Sequence, residues 1–446
     1  MRTISLILVM IIIVLGCFSV PAYAAASSYP DIHASAVILM DSDSGRVLYE
    51  ENMHEKRYPA SITKIMTAII ALEEGDLDDT VTASLNAINS ITLNSTHIGL
   101  RVGEKLTLEQ MLYGLMIASA NEGANAIAEH ITGCVDLFIQ QMNDRAKELG
   151  ALNTNFTNTN GLPHDDHYTT AYDMAIITKH AMTIPAFREI VSTDYYEVPP
   201  TNRLNETRYF SNTNHLINRA RATTAYNYYY PSAIGVKTGW TTRSQHTLVA
   251  AAKRNNIELI TVVLDATKDD NHHYSYVDTL ALFEYGFKHF DYQTIARPNQ
   301  ILDEIEVIDA KANQMVKLLA SQPLQALLPK NIDMSQLDME FELISPIQAP
   351  IEKGNILGFV TFHYNHKVLG TINVIADQDV EQEPIIVIKE QTLTFIASTT
   401  FKLIVGILVL IIILIVMLRI RHNKNTAYIM LGNGHKRKIK NFYKRK

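Results

Sequence analysis

Cysteine is scarce in this 446-residue chain, which contains only Cys17 and Cys134. Cys17 falls inside an N-terminal apolar run that is typical of an export signal, so only Cys134 would remain after cleavage. A single cysteine forms no internal disulfide, and nothing near Cys134 indicates a thiolate nucleophile. The sequence therefore excludes a disulfide framework as the source of stability.

Basic charge is also scarce over most of the chain. Residues 419–446 hold ten of the 39 Lys and Arg residues and no Asp or Glu, which leaves 29 basic against 46 acidic residues elsewhere, a net charge of −17. An acidic body does not suit nucleic acid as the main ligand. The basic tail instead indicates a segment that faces a membrane.

The first long apolar run occupies residues 4–15. It is followed by Ala22-x-Ala24, which has the small-residue pattern of a signal peptidase site. Residues 1–24 are therefore predicted to be a signal peptide that is cut after Ala24. A lipoprotein cleavage site ending at Cys17 is the alternative, and the Ala-x-Ala pattern is the better match.

The second apolar run extends from Leu403 to Leu418, with Ile, Leu and Val on all its sides. Counted over residues 396–418, it is long enough to cross a bilayer about 30 Å thick as a transmembrane helix. Because basic residues favour the cytoplasmic side, residues 419–446 are predicted to be a cytoplasmic tail, with the body of a single-pass protein outside the cell membrane. An amphipathic surface helix is the alternative, which the evenly apolar run disfavours.

The chain between these runs changes its pattern near residue 292. Residues 25–291 mix helical and strand patterns and are predicted to form one domain. Residues 292–380 contain short strand patterns with turn signals, including a tight turn at Asn365-His366, and predict a small β-rich domain. Residues 381–395, in an acidic and polar stretch, are predicted to link that domain to the membrane.

Several elements can be placed in the first domain. Two strands flank the turn sequence at residues 41–45, and Thr107-Leu108-Glu109-Gln110 predicts a capping box that opens a helix. Short apolar runs at 247–252 and 259–264 predict an antiparallel pair of strands. Further helices are predicted over residues 135–149, 171–182 and 276–287.

The stretch around Ser61 carries the clearest chemical signal. Apolar residues recur at helical spacing from Pro59 to Leu72, and Lys64 is the only charged residue there. A helix of this kind is predicted to be buried on all sides, which favours the neutral Lys64 amine. Ser61 lies three residues earlier on the same face, where it can be an activated nucleophile. The alternative is an N-capping serine beside a lysine that reaches water.

Three short motifs stand in order along the chain: Ser61-Ile62-Thr63-Lys64, Ser119-Ala120-Asn121 and Lys237-Thr238-Gly239. Each is weak alone, but S-x-x-K at a helix start, S-x-N between helices and K-T-G on a strand are a strong combination. With these motifs the sequence resembles the penicillin-binding proteins, and among them the low-molecular-weight serine D-Ala-D-Ala carboxypeptidases. The similarity runs from about Ala36 to Phe290 and includes Asn160-Gly161-Leu162 and residues 168–175.

The resemblance implies an α+β fold. A penicillin-binding or β-lactamase-like transpeptidase domain, with an antiparallel sheet and a helical cluster, would be followed by a small β-rich domain and a C-terminal transmembrane helix. It also implies an enzyme that removes the terminal D-alanine from peptidoglycan stem peptides. β-Lactams would acylate this enzyme, and no metal or organic cofactor would be needed.

The resemblance assigns a role to each motif residue. Ser61 would attack the carbonyl between the two D-alanines, and Lys64 would take its proton. Ser119 and Lys237 would relay a proton to the departing amine, while Asn121 holds the peptide amide. Lys237 would also attract the terminal carboxylate of the substrate, and Thr238 of the same motif would be a further substrate-binding residue. Gly239 would let the peptide approach the strand edge, and the backbone N–H groups of Ser61 and Trp240 would form the oxyanion hole.

The sequence departs from the family pattern in two respects. Ser244-Gln245 stands where the family often has Ala-Gly, which puts the shape of that loop in question. No second cationic residue for the substrate carboxylate can be placed.

Other functions remain open at this stage. A D,D-endopeptidase or a transpeptidase would use the same motifs, whereas a β-lactamase is disfavoured because no E-x-x-x-N stretch suits activation of the deacylating water. A catalytically silent wall-binding protein would use the β-rich domain. A zinc hydrolase would use His164 and His167, although neighbouring residues seldom converge on one ion. His272-His273 is a similar case, and the Tyr226–Tyr230 cluster favours packing and a cleft wall over a nucleic-acid platform.

Overall fold

The computed structural model describes residues 29–92, 94–220 and 227–429, so the predicted signal peptide and residues 430–446 of the predicted tail lie outside it. These residues form two compact units. The first contains the described residues up to Gln293 together with Ala326–Ile332. The second contains Thr294–Gln325 and the described residues from Asp333 onward. The returning segment belongs to the first unit, where Arg46 Nη1 donates a hydrogen bond to Leu327 O at 2.6 Å.

The described strands are, in chain order, β1 Ala36–Asp41, β2 Val47–Glu51, β3 Thr80–Thr82, β4 Lys105–Thr107, β5 Tyr195–Val198, β6 Arg208–Ser211, β7 Ala233–Thr241, β8 Gln245–Arg254, β9 Ile257–Ala266, β10 Phe290–Ala296, β11 Ile301–Glu306, β12 Met315–Ala320, β13 Leu324–Pro329, β14 Leu337–Leu343, β15 Ile356–Tyr364 and β16 Lys367–Ala376.

The described helices are α1 Lys64–Glu74, α2 Leu85–Asn89, α3 Leu108–Met116, α4 Asn121–Thr132, α5 Val135–Glu148, α6 Ala171–Ala181, α7 Pro185–Ser192, α8 Tyr274–His289, α9 Pro384–Ala397 and α10 Thr399–Ile429. Short 3₁₀ turns occupy Ala60–Thr63, Lys311–Asn313 and Met334–Gln336.

A five-stranded antiparallel sheet forms the centre of the first unit, in the order β2-β1-β9-β8-β7. The predicted pairing of the two apolar runs is confirmed, since Val249 faces Val262 and Ala251 faces Ile260 in β8 and β9. The central residues of these strands are mostly apolar because both faces of the sheet are covered there. Alternate residues belong to one core cluster that includes the α1 side chains and to a second cluster around Phe283 of α8.

The helix predicted from Pro59 to Leu72 begins later than expected. Ala60–Thr63 forms a 3₁₀ turn, and the α-helix starts only at Lys64. The backbone of Ala60 has a φ of +52°, which is incompatible with an α-helix at that residue. The predicted burial is confirmed, because every residue of α1 from Lys64 to Ala71 is buried.

The predicted start of α3 is also confirmed. The Thr107 hydroxyl accepts a hydrogen bond from Gln110 N, and the Gln110 side chain accepts one from Thr107 N, which together make a capping box. The short pairs β3–β4 and β5–β6 were not predicted, because strands of three or four residues carry too little alternation.

The second unit contains a five-stranded antiparallel sheet in the order β11-β12-β16-β15-β14. The β-rich character predicted for this part of the chain is confirmed. Asn365 and His366, with φ of 48° and 61°, close the β15–β16 hairpin as the predicted tight turn. β12 was not predicted, because its six residues show no clear alternation.

The linker predicted at residues 381–395 is largely helical, since α9 begins at Pro384. The acidic residues that suggested a linker lie mostly before this point, and proline suits the first turn of a helix. The helix breaks at Ser398, whose hydroxyl accepts a hydrogen bond from Phe401 N at 3.1 Å. The stretch long and apolar enough to cross a membrane is therefore Thr399–His422, which contains an 18-residue window with a mean hydropathy of 3.3, rather than residues 396–418. It is a candidate membrane anchor.

Candidate active site

Ser61 lies in the 3₁₀ turn that precedes α1, and this turn packs directly on strand β7. A Cβ built on Gly239 would lie 2.9 Å from Ser61 N and 2.4 Å from the Thr247 hydroxyl oxygen. The hydroxyl of Thr247 also donates to Pro59 O at 2.9 Å. Gly239 is therefore required for the contact between the strand and the serine turn, a role that the sequence did not suggest.

A second glycine, in the loop at Asn160-Gly161, packs against the same turn. Gly161 has a φ of +89°, and a Cβ built on it would lie 1.8 Å from Ala60 O. The backbone of the Asn160-Gly161 loop thus fits against the residue that precedes the nucleophile.

We expect Gly161→Ala to destabilise the protein by roughly 2–5 kcal/mol and to lower activity, because the clash displaces the Ala60 carbonyl and with it Ser61. Gly133→Ala is the matched control, since Gly133 has a φ of +75° with no atom within 4 Å of a built Cβ. Urea unfolding and acylation by a β-lactam measure the two effects. Equal losses in both variants would contradict a specific role for the Gly161 contact.

Lys64 is fully buried and contacts three oxygen atoms. Its Nζ lies 2.9 Å from Ser61 Oγ, 2.6 Å from Asn121 Oδ1 and 2.7 Å from Asn160 O. The two carbonyl oxygens only accept hydrogen bonds, so they take the two N–H groups of a neutral amine. The remaining lone pair of the nitrogen then faces the Ser61 hydroxyl, which is the orientation a general base needs.

The electrostatics of the site favour this neutral form. Burial lowers the pKa of Lys64 well below its ordinary value, the positive charge of Lys237 lowers it further, and the Glu122 carboxylate opposes both. Glu122 is itself 2% exposed, and its Oε1 accepts a hydrogen bond from Ile98 N at 2.7 Å. Burial is the larger influence, because an ammonium group without bulk water is strongly destabilised.

The S-x-N motif joins α3 to α4 beside the lysine. Ser119 is 6% exposed and has a φ of +63°, so the chain turns sharply at this residue. Asn121 was expected to hold the peptide amide, but its side-chain oxygen accepts from Lys64. Only the NH₂ group of Asn121 remains for a substrate, and it can donate to a peptide carbonyl.

The K-T-G motif lies on β7, an edge strand of the sheet. Lys237 is 1% exposed, its Nζ contacts Thr238 O at 3.1 Å, and burial lowers its pKa to about 7. An anionic group beside it would favour the protonated form. The Thr238 hydroxyl lies 3.0 Å from the Thr213 hydroxyl, and the Trp240 side chain is 58% exposed.

Sequence reasoning missed two residues at this site. Asn160 belongs to a motif of the resemblance, but it acts through its backbone carbonyl, which no side-chain pattern can reveal. Glu122 directly follows Asn121 in the first turn of α4, where an acidic residue is common for its favourable charge near the helix dipole and marks no site by itself. Its burial and its effect on Lys64 depend on the packing of the loop around Ile98.

His167, one of the candidate metal ligands, has a structural role in the protein. His167 is buried, its Nδ1 accepts from Thr157 N at 3.0 Å, and its Nε2 lies 2.8 Å from the Thr63 hydroxyl. Burial lowers the pKa of His167 to about 3, so it supports the serine turn as a neutral ring. Across the described ranges, no three His, Cys, Asp or Glu side chains are grouped as a metal would require.

The aromatic residues near the sheet form a packed cluster. Tyr228 is buried and stacks on Tyr276 at a centroid distance of 4.9 Å, while His273 lies 5.0 Å from His246. Tyr226 lies outside the described residues. These contacts favour packing as the role of the cluster.

The departure at Ser244-Gln245 does not disturb the β7–β8 hairpin. Thr241 still pairs with Gln245, which has a φ of +50°, a conformation that glycine adopts without strain. The Ser244 hydroxyl accepts from Thr241 N at 3.0 Å and donates to Gln245 O at 2.9 Å. Side-chain hydrogen bonds thus hold the turn in place.

Comparison with known families identifies both units. A family described as D-alanyl-D-alanine carboxypeptidase matches residues 23–268, and one described as penicillin-binding protein 5, C-terminal domain, matches residues 290–382. D-alanyl-D-alanine carboxypeptidase DacF of Bacillus subtilis is 32% identical over 365 residues, which cover 81% of this chain and 89% of that protein. DacC of Escherichia coli is 29% identical over 82% of this chain and 89% of its own length.

Solved structures agree with these matches. The structure of penicillin binding protein 5 from Haemophilus influenzae superposes with a TM-score of 0.61 at 29% identity, and covers 79% of this chain and 99% of that one. The structure titled Streptomyces K15 DD-transpeptidase has a TM-score of 0.53 at 32% identity, over 58% of this chain and 99% of that one. With a family match over more than half of its length, and with a serine, two lysines and an asparagine gathered at one strand edge, this chain belongs to the D-alanyl-D-alanine carboxypeptidase family of penicillin-binding proteins.

Proposed function

We propose that the protein is a serine-type D-Ala-D-Ala carboxypeptidase that removes the terminal D-alanine from peptidoglycan stem peptides through an acyl-enzyme on Ser61. The observation that supports it most directly is the set of three oxygen contacts of the buried Lys64, which leaves its lone pair for the Ser61 hydroxyl. A buried amine with two carbonyl acceptors and one hydroxyl neighbour is a general base already oriented to take the proton of that hydroxyl.

Acylation follows from this arrangement. Ser61 Oγ bonds to the carbonyl carbon of the penultimate D-alanine while Lys64 Nζ takes the hydroxyl proton. The negative charge on the carbonyl oxygen is stabilised by the backbone N–H groups of Ser61 and Trp240, each worth roughly 2.7–4 kcal/mol in such sites. The C–N bond then breaks, and the proton passes through Ser119 and Lys237 to the departing amine.

Deacylation uses the same base a second time. After the proton has left with D-alanine, Lys64 is again neutral and can take a proton from water. The water oxygen bonds to the ester carbon, the bond to Ser61 Oγ breaks, and Lys64 returns the proton to that oxygen. Neither step requires a metal or an organic cofactor.

Substrate orientation depends on the edge of β7. The peptide adds along this strand, with its terminal carboxylate near the Lys237 ammonium group and Thr238. The NH₂ group of Asn121 donates to a peptide carbonyl on the other side. A β-lactam ring presents a similar amide and carboxylate, and it acylates Ser61 by the same attack.

Product analysis with a synthetic pentapeptide tests this function. The carboxypeptidase releases one D-alanine per peptide and leaves a tetrapeptide. Transpeptidation is the second candidate, because the similar Streptomyces K15 structure is titled a DD-transpeptidase. Cross-linked dimers in place of tetrapeptide would identify a transpeptidase, and turnover of β-lactam without peptide hydrolysis would identify a β-lactamase.

We further propose that α10 crosses the cell membrane once, with the catalytic unit outside and the basic tail in the cytoplasm. Cys134 provides a natural reporter, since it is a free, exposed cysteine of the catalytic unit. A maleimide that does not cross membranes is expected to label it in intact cells, with Cys134→Ser as the control. Labelling only after lysis would place the catalytic unit in the cytoplasm.

A further inference from the structure

The tip of the β7–β8 hairpin presents an arginine next to the catalytic turn. Arg243 Nη2 donates to the Tyr58 hydroxyl at 2.7 Å and lies 2.7 Å from Asp165 Oδ1. The guanidinium also sits over the Tyr58 ring, 4.5 Å from its centroid. Tyr58 is three residues before Ser61, so the cluster adjoins the nucleophile along the chain.

The partner of this arginine is easily replaced. The Asp165 side chain is 84% exposed and that of Arg243 is 42% exposed, so water screens the ion pair and its net stabilisation is small. The Arg243 backbone, in contrast, is well positioned, because buried Ser244 bonds to both sides of the turn. The Arg243 guanidinium is therefore held in place, while the Asp165 carboxylate bound to it is exposed and weakly held. Asp165 occupies the position that a carboxylate of a ligand would take.

A peptide bound along β7 in the proposed orientation would run toward Arg243. The terminal carboxylate lies at Lys237 and the scissile carbonyl at Gly239 and Ser61, so the upstream part of the peptide runs past Thr241 toward Arg243. Lys237, Gly239 and Thr241 lie on the same face of β7, because every second residue of a strand points to the same side. Arg243 is four positions after Gly239, but β7 ends at Thr241 and the chain turns there, so the two residues are separated by less than the roughly 13 Å of four extended steps. An extended stem peptide reaches that far two to three residues upstream of the scissile bond.

We propose that Arg243 binds a carboxylate of the stem peptide upstream of the scissile bond, and that this carboxylate displaces Asp165. Arg243 is then a specificity-determining residue, and Tyr58 holds the guanidinium face during the exchange. The inference rests on the proposed function. The carboxylate can belong to the second residue, a γ-linked D-isoglutamate, or to the side chain of an acidic third residue such as diaminopimelate.

Four substrates distinguish these sources by kcat/KM. The first three are pentapeptides: one with D-isoglutamate and lysine at positions two and three, one with D-isoglutamine and lysine, and one with D-isoglutamine and diaminopimelate. The fourth is N-acetylated Lys-D-Ala-D-Ala, which lacks both carboxylates. We expect the wild-type protein to prefer one acidic peptide over the amidated lysine peptide by about two- to fivefold.

The variants then test the residue. Arg243→Gln is expected to bring that preference close to one while leaving the truncated substrate unchanged, and Asp165→Asn is expected to increase kcat/KM for the preferred acidic peptide. Arg254→Gln is the matched control, because Arg254 makes the same kind of contact with Tyr230 and Glu284 at the other end of β8. It should keep the wild-type preference.

Three results would overturn the proposal: no preference for either acidic peptide in the wild-type protein, an unchanged preference in Arg243→Gln, or an equal loss on all four substrates, which would indicate a role in loop structure. Failure of the wild-type protein to hydrolyse even the truncated substrate would instead overturn the proposed function.

Discussion

Replacing Ser61 with alanine is expected to abolish the covalent adduct with penicillin and to lower kcat by a factor on the order of 10⁶, as loss of a nucleophile does in other serine hydrolases. The change removes one oxygen atom from a partly exposed position on the 3₁₀ turn. The neighbouring Lys64 keeps its two carbonyl partners, so no buried group loses all of its hydrogen bonds. The fold should therefore be retained, with a free energy of unfolding within about 1 kcal/mol of the wild-type value.

Mass spectrometry of the intact and digested protein measures this directly. The wild-type adduct should map to the peptide that contains Ser61, and Ser61→Ala should show none. Ser84→Ala is a useful control, because Ser84 only caps α2 by accepting from Ala87 N. An adduct that persists in Ser61→Ala, or one that maps to Ser119, would contradict Ser61 as the nucleophile.

Replacing Lys64 with alanine is expected to slow acylation by about 10²–10⁴-fold, the usual contribution of a positioned general base. The residual rate should no longer show the ionisation that is due to this amine. Stability will respond in two opposite ways. Removing the lysine ends the cost of burying an amine, but it leaves Asn121 Oδ1 and Asn160 O without their donor at about 1–3 kcal/mol each and opens a cavity.

Stopped-flow acylation with a chromogenic β-lactam separates chemistry from folding when the circular dichroism spectrum and urea midpoint are measured on the same samples. Lys179→Ala controls for the loss of a lysine as such, because Lys179 lies in the last turn of α6 and its side chain packs beside Gly45. A Lys64→Ala protein that is folded and acylates within tenfold of the wild-type rate would show that another group takes the serine proton.

The sequence was sufficient to place Lys64 and Lys237 because both lie on regular elements. Burial of Lys64 could be predicted from the apolar pattern around it, and its pairing with Ser61 from their spacing. The strands β8 and β9 were visible as short apolar runs, and the hairpin around Asn365 was visible from its turn residues. In these cases the structure favoured by the local sequence pattern is the same as the structure favoured by tertiary packing.

The remaining features depend on contacts between distant parts of the chain. Gly161 and Gly239 both approach the backbone of the 3₁₀ turn at Ala60–Thr63 closely, and no local pattern records such an approach. The bond from Lys64 to Asn160 O involves a backbone atom. The motif predicts that Asn121 binds the substrate, but it does not reveal that the Asn121 oxygen accepts a hydrogen bond from Lys64, which depends on α4 beginning beside α1.

The pH dependence of acylation tests the central role of Lys64 most directly. The rate constant for acylation of the wild-type protein by a β-lactam should rise with pH as Lys64 loses its proton. Because burial and the charge of Lys237 lower the pKa of Lys64, the midpoint of this rise should lie well below the ordinary lysine value of about 10.4. A rate that rises only near 10.4 would show that the amine is solvated, and would contradict a buried, neutral Lys64 as the base for Ser61.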